Sequence, residues 1–155
     1  MLAAGIDPGL KGAVAILDRE CVHLARPLPV LHGEIDVGAL AALLLDPRPE
    51  LVVVERQQAM PKQGVASTFK IGRNYGLILG ALQTLGLPVL EVRPQQWQAA
   101  VLRGQARGKE AAIAYVMKRF PCVELRPGRC RKPHDGIADA VCIAAYGLLD
   151  LGGGR

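Results

Sequence analysis

A chain of 155 residues with 50% hydrophobic content is long enough for one domain with a substantial core, and too short for two of ordinary size. No apolar run approaches twenty residues, which argues against a membrane-spanning helix, and the four cysteines (Cys21, Cys122, Cys130, Cys142) lack the spacing of a disulfide framework. The net charge of +5 is uneven: residues 1–55 hold 4 Lys/Arg against 8 Asp/Glu, and residues 56–155 hold 15 against 6. An acidic pocket beside a basic surface suits a polyanionic substrate, although an ordinary basic surface accounts for the charge alone equally well. The chain enters an apolar segment at once, without a leader, so a soluble cytoplasmic protein is expected.

In chain order, short apolar runs bounded by turn residues predict strands over Leu2–Ile6, Gly12–Leu17 and Cys21–Arg26, the last two joined as a hairpin through Asp18-Arg19-Glu20. Pro27 and Pro29 end the third strand, and Ile35–Leu45 is a helix stopped by Asp46-Pro47-Arg48-Pro49. Leu51–Val54 is a fourth strand, followed by a polar loop from Arg56 to Ala66. Ser67 is the expected N-cap of a long helix over Thr68–Leu85. Gly72, Gly76 and Gly80 recur along it every four residues, which implies close approach of either the chain's own sheet or a second copy.

Leu87–Val92 is the fifth strand, and Pro94 opens a helix as its first-turn proline, with Trp97 expected in the core. Arg103–Gly108 reads as a loop. Lys109–Phe120 is an amphipathic helix with Ile113, Val116, Met117 and Phe120 on one face. A basic loop over Pro121–Pro133 leads to a final helix over His134–Leu151. The result is one domain over 1–151 with a flexible tail over 152–155. Three meandering strands followed by βα units give an α/β fold: a mixed five-stranded sheet, order 3-2-1-4-5, with strand 2 antiparallel and helices on both faces.

This topology brings acids together. Asp7 ends the first strand, Glu55 ends the fourth, and Asp135 and Asp139 stand at i and i+4 on the last helix, able to cross the same sheet edge. Carboxylates collected at low dielectric repel one another, and a divalent cation relieves the repulsion. Each acid also has an ordinary structural explanation: a turn residue for Asp7, a solvated strand end for Glu55, a helix N-cap for Asp135. Asp139, flanked by Ile137, Ala138, Ala140 and Val141, has the weakest such explanation.

Gly5-Ile6-Asp7-Pro8-Gly9, Val54-Glu55, Ala59–Gly64, Ser67-Thr68-Phe69, Gly72–Gly76 and His134-Asp135-Gly136…Ala138-Asp139-Ala140 together resemble the RuvC family of Holliday-junction resolvases, within the ribonuclease H-like superfamily. The wording is closest to its phage and organellar branch. The resemblance spans nearly the whole chain and implies a homodimer that nicks two symmetric strands of a four-way DNA junction with magnesium. It implies two ions per site, with manganese as a substitute, and neither a nucleotide cofactor nor a membrane. Asp7 would bridge both ions, Glu55 and Asp139 would hold one each, and Asp135 or His134 would complete the set. Phosphate-contact candidates are Lys62, Lys70, Arg73, Arg103, Arg107, Lys109, Arg129, Arg131 and Lys132. Two positions depart from the bacterial pattern. Gln58 stands where an aromatic wedge is expected, which leaves Met60, Pro61 or Phe69 to open the junction, and the last two acids are four residues apart rather than three.

Other signals are weaker. Gly104–Glu110 lacks the spacing and the Ser/Thr of a phosphate-binding loop, and Cys122, Cys130 and His134 lack the CxxC pair of a zinc site. A nuclease acting on another branched or hybrid nucleic acid, a sugar-kinase-like nucleotide-binding domain and a junction-binding module without catalysis are the rival expectations.

Overall fold

The computed structural model describes residues 1–104 and 110–152. In order, the elements are β1 (Ala3–Asp7), β2 (Ala13–Leu17), β3 (Val22–Pro27), β4 (Val30–Leu31), β5 (Glu34–Ile35), α1 (Val37–Leu45), β6 (Leu51–Glu55), α2 (Val65–Thr84), β7 (Val89–Val92), α3 (Pro94–Val101), α4 (Ala111–Arg119) and α5 (Asp135–Gly152). The five main strands lie in the order β3-β2-β1-β6-β7. β2 runs antiparallel to both neighbours, while β6 pairs parallel to β1 and β7 parallel to β6. This is the expected 3-2-1-4-5 sheet, renumbered by two short strands that the sequence reading missed. Those strands, β4 and β5, form a separate two-stranded sheet between Pro29 and α1.

Two-residue alternation decides which layer each strand residue joins. Ala4, Ile6, Val14, Ile16, Val52 and Val54 point to one face, where α1 and α2 cover them with Leu40, Leu44, Ile78 and Leu82. Ala3, Ala13, Ala15, Leu17, Leu51 and Val53 point to the other, beneath α3, α4 and α5. β1, β2 and β6 are therefore apolar on both sides and read as continuous hydrophobic runs.

α5 lies directly on β1 because both contribute small residues at the contact. A Cβ added at Gly5 would stand 2.2 Å from the Ala140 carbonyl oxygen and 2.3 Å from the Ala144 nitrogen, and one at Gly147 would stand 2.8 Å from Val53. Backbone cannot give way as a side chain can, so Gly5→Ala is expected to destabilise the protein by about 3 kcal/mol or more. Thermal unfolding would show it, and an unchanged midpoint would mean that α5 sits farther from β1.

Several boundaries shift. α1 begins at Val37 rather than Ile35 because the Asp36 side chain caps it, accepting from the Ala39 N–H at 3.0 Å. α2 begins at Val65, capped by Gly64, which places Ser67 inside the first turn instead of at the N-cap. On α4 the buried side is Ala112, Val116 and Phe120, whereas Met117 is 58% exposed, so Met117 leaves the predicted apolar face. Gly152 belongs to α5 rather than to a tail. The remainder of the expected 103–108 loop, including Arg107 and most of the phosphate-loop-like stretch, the expected helix start at Lys109, and tail residues 153–155 lie outside the described residues.

The glycine stripe of α2 is decided against the chain's own sheet. A Cβ at Gly72, Gly76 or Gly80 would meet nothing within 4 Å, so the stripe faces outward. The buried side of the helix is carried by Asn74, Ile78, Ala81 and Leu82. Asn74 ties α2 to β5, accepting from the Ile35 N–H at 2.8 Å and donating to the Lys70 carbonyl at 3.0 Å.

Candidate active site at the sheet edge

Asp7 continues the Ala3–Gly5 side of β1, and Glu55 continues the Leu51–Val53 side of β6. Because Ile6 pairs with Val54 in the parallel ladder, the two acids end neighbouring strands at one edge and point toward the α5 layer. The Ala140 and Ala144 seat on Gly5 sets α5 so that its first turns cross that edge. Gly136 comes so close that an added Cβ would lie 2.8 Å from the Lys11 carbonyl oxygen, 3.1 Å from Asp7 Oδ2 and 3.1 Å from His134 Cε1. Asp7, Asp135 and Asp139 line one cleft of about 690 Å³ together with Lys11, Lys70 and Tyr75. Glu55 lines a second cleft of about 560 Å³ with Arg56, Met60 and Arg93, and Gln57 borders both.

The electrostatics are those of crowded acids. Burial pushes the Asp7 carboxyl up to about 8, with Asp139, Glu55 and Asp135 adding repulsion. Burial likewise raises Asp139 to about 7, reinforced by Glu55 and Asp135. Glu55 is raised by burial, an effect opposed by the hydrogen bond it accepts from Trp97. An oxygen-only donor set held in this state fits a hard divalent cation, whose charge would reverse the repulsion.

The sequence-predicted residues separate into groups. Asp7, Glu55, Asp135 and Asp139 share the edge, near enough to repel one another, although no three of them bring ligand atoms within 4.8 Å of one another. His134, rather than Asp135, caps α5: its Nδ1 accepts from the Ile137 N–H at 3.2 Å, while Asp135 Oδ1 accepts from the Gly136 N–H at 3.0 Å. Phe69 is 72% exposed and Met60 59%; Pro61, Lys62, Arg103, Arg129, Arg131 and Lys132 are exposed as well. Lys70 lines the main cleft, whereas Arg73 pairs with Glu34 at 2.7 Å. Cys122, Cys130 and His134 do not converge.

Three cations were missed. Lys11 follows β1, and Arg56 and Arg93 come directly after β6 and β7, so all three lie at the acidic edge. For Arg56 and Arg93 the available signal was a position one residue past a parallel strand, whereas Lys11 lies in the turn four residues beyond Asp7. Trp97 lies in the core as expected, but its bond to an acid was not foreseen. It is 1% exposed, and its Nε1–H donates to Glu55 Oε2 at 2.8 Å, fixing the direction of that carboxylate. Trp97→Phe keeps most of the packing and removes the donor. The expected result is a roughly 10- to 100-fold loss of divalent-cation affinity at the acidic edge, measured by calorimetric titration.

The mixed sheet with α5 laid over its first strand is a ribonuclease H-like fold. No protein-family model matches the chain. The chain is 30% identical over 159 residues to the crossover junction endodeoxyribonuclease RuvC of Myxococcus xanthus, covering 95% of this chain and 82% of that protein. It is 29% identical to the protein of the same name from Carboxydothermus hydrogenoformans, over 99% of both. The solved structure of Thermus thermophilus RuvC superposes with a TM-score of 0.71 at 25% identity, over 99% of this chain and 97% of that one. The chain belongs to the RuvC family of crossover junction endodeoxyribonucleases.

Proposed function

We propose that this protein resolves four-way DNA junctions by hydrolysing one phosphodiester in each of two symmetric strands, using Asp7, Glu55, Asp135 and Asp139. The observation that carries the reading is the convergence of these acids on one sheet edge, between two clefts that both present cations. Two magnesium ions, or manganese in their place, supply an activated water and stabilisation of the leaving 3′-oxygen when bound. Asp7, on which the other three acids all act, would be shared between the ions, and Glu55, aimed by Trp97, and Asp139 would each hold one. Asp135 or His134 would complete the set. Lys11, Lys70, Arg56 and Arg93 hold the phosphates on either side of the acids, and Arg129, Arg131 and Lys132 extend the basic track on the loop before α5.

Symmetric cleavage requires two copies. The outward Gly72, Gly76 and Gly80 stripe on α2, with exposed Val65 and Phe69 at the same helix's start, supports a homodimer packed helix to helix. Met60, which lines the Glu55 cleft, takes the place of the missing wedge at Gln58. Because Gly76 has open space around it, Gly76→Arg is expected to leave the fold intact and shift sedimentation from dimer to monomer. Paired nicking falls with it. The function itself is tested by gel assay of wild type with magnesium on a four-way junction, an RNA–DNA hybrid and linear duplex. Selective, symmetric cutting of the junction is expected, and preferential cutting of the hybrid would overturn the reading.

A further inference from the structure

The hairpin turn between β2 and β3 gathers three side chains that junction cleavage leaves unused. Asp18 and Cys21 close the turn, the Asp18 N–H donating to the Cys21 carbonyl at 3.0 Å. Cys21 and His23 stand two residues apart where the β2–β3 register shifts and leaves His23 without a paired residue, and Asp18 meets them across the turn. His23 Nε2 lies 2.8 Å from Asp18 Oδ2 and 3.6 Å from Cys21 Sγ. Among the described residues, this is the one group of three His, Cys, Asp or Glu whose ligand atoms all lie within 4.8 Å of one another.

Those separations match a metal cradle. Around a tetrahedral zinc ion with bonds of about 2.0–2.3 Å, neighbouring ligand atoms stand roughly 3.3–3.8 Å apart. The Cys21–His23 separation is already in that range, and the Asp18–His23 hydrogen bond needs to open by less than about 1 Å. The other oxygen of Asp18 accepts from the backbone N–H groups of Glu20 at 2.7 Å and Cys21 at 2.8 Å, which fixes the carboxylate with Oδ2 toward His23. Outer partners of this kind orient ligating carboxylates. One thiolate and one carboxylate cancel a dipositive charge, and the imidazole binds neutral. Sulfur and imidazole select a zinc-class ion, in contrast to the oxygen-only set that suits magnesium at the other end of the sheet.

We propose that Asp18, Cys21 and His23 bind one zinc-class transition-metal ion, with water in the open fourth position. The site is separate from the nuclease centre. Leu17 pairs with Ala3 and Ala13 with Asp7, so the turn lies at the opposite end of β1, about 17 Å along the strand from the acids.

Cobalt(II) titration of the reduced full-length protein tests this optically. Wild type is expected to develop a thiolate-to-cobalt charge-transfer band that saturates at one ion per chain and is removed by zinc but not by excess magnesium. The band persists in Asp7→Asn and in the Cys122→Ser/Cys130→Ser double variant. It is lost in Cys21→Ser, and in His23→Asn and Asp18→Asn the affinity falls at least about tenfold. All three ligands sit at a partly or fully exposed turn, and circular dichroism confirms that the variants fold. A wild type without the band at saturating cobalt, or a Cys21→Ser protein that keeps it, overturns the proposal.

Discussion

Replacing Asp7 by asparagine reduces junction cleavage by on the order of 10³-fold or more while leaving junction affinity within a few-fold of wild type. Electrostatic stabilisation by a catalytic metal supplies several kcal/mol of the barrier reduction, and each 1.36 kcal/mol is a factor of ten in rate. Asp7 occupies the position where the loss is greatest, because Asp139, Glu55 and Asp135 all act on it. Binding survives because the cations that meet phosphate, such as Lys70 and Arg93, lie on other elements. Single-turnover cleavage and gel mobility of the same junction separate the two effects. A variant that cuts at the wild-type rate would remove Asp7 from the centre of the site.

The metal-free protein loses stability as pH rises from about 4 to about 8, and saturating magnesium removes that loss. Asp7 is held at about 8 in the folded state, against 3.8 ordinarily, and Asp139 at about 7. Between those limits the folded chain binds more protons than the unfolded chain, so the unfolding free energy falls with increasing pH and levels off above the folded value. Glu55 is shifted in the same direction. Asp18 is shifted the other way by hydrogen bonds from Cys21, His23 and Glu20, but its contribution changes below pH 4, outside this window. For Asp7 the loss is on the order of a few kcal/mol. Metal-free Asp7→Asn should therefore melt about 5–10 °C above wild type at pH 8 and close to it at pH 4. A flat melting profile for the metal-free wild type across that range would show that the acids are not crowded as described.

The core of the site was legible because it rests on regular periodicities. An apolar run that ends in an acid places that acid at a strand's mouth, and a parallel pairing of two such runs sets Asp7 beside Glu55. The i, i+4 spacing on the last helix did the same for Asp135 and Asp139. Features that depend on distant packing were not legible. Trp97 finds Glu55 across 42 residues, and a buried indole N–H gives no sign in the sequence of which acceptor it will meet. The α2 glycines are equally compatible with an inward or an outward stripe until the register of Asn74 and Ile78 fixes the helix's rotation. Strands of two residues, such as β4 and β5, are shorter than any period that could reveal them. The cluster of Asp18, Cys21 and His23 escaped because Asp18 was read as part of the hairpin connection and Cys21 and His23 as residues of the third strand.

The seating of α5 has a bearing on how nuclease activity can be lost. Asp139 rides on a helix whose neighbours at Ala140, Ala144 and Gly147 touch main chain or methyl groups with no slack. A random-mutagenesis screen for dead enzymes should thus recover interior hits at Gly5, Gly136 and Gly147, none of which needs to meet DNA, beside the acids themselves. Enlarging any of these by a single methyl tilts the lever that carries the carboxylate. Inheritance of the activity is guarded as strictly in the hidden floor of the helix as in the groove above it.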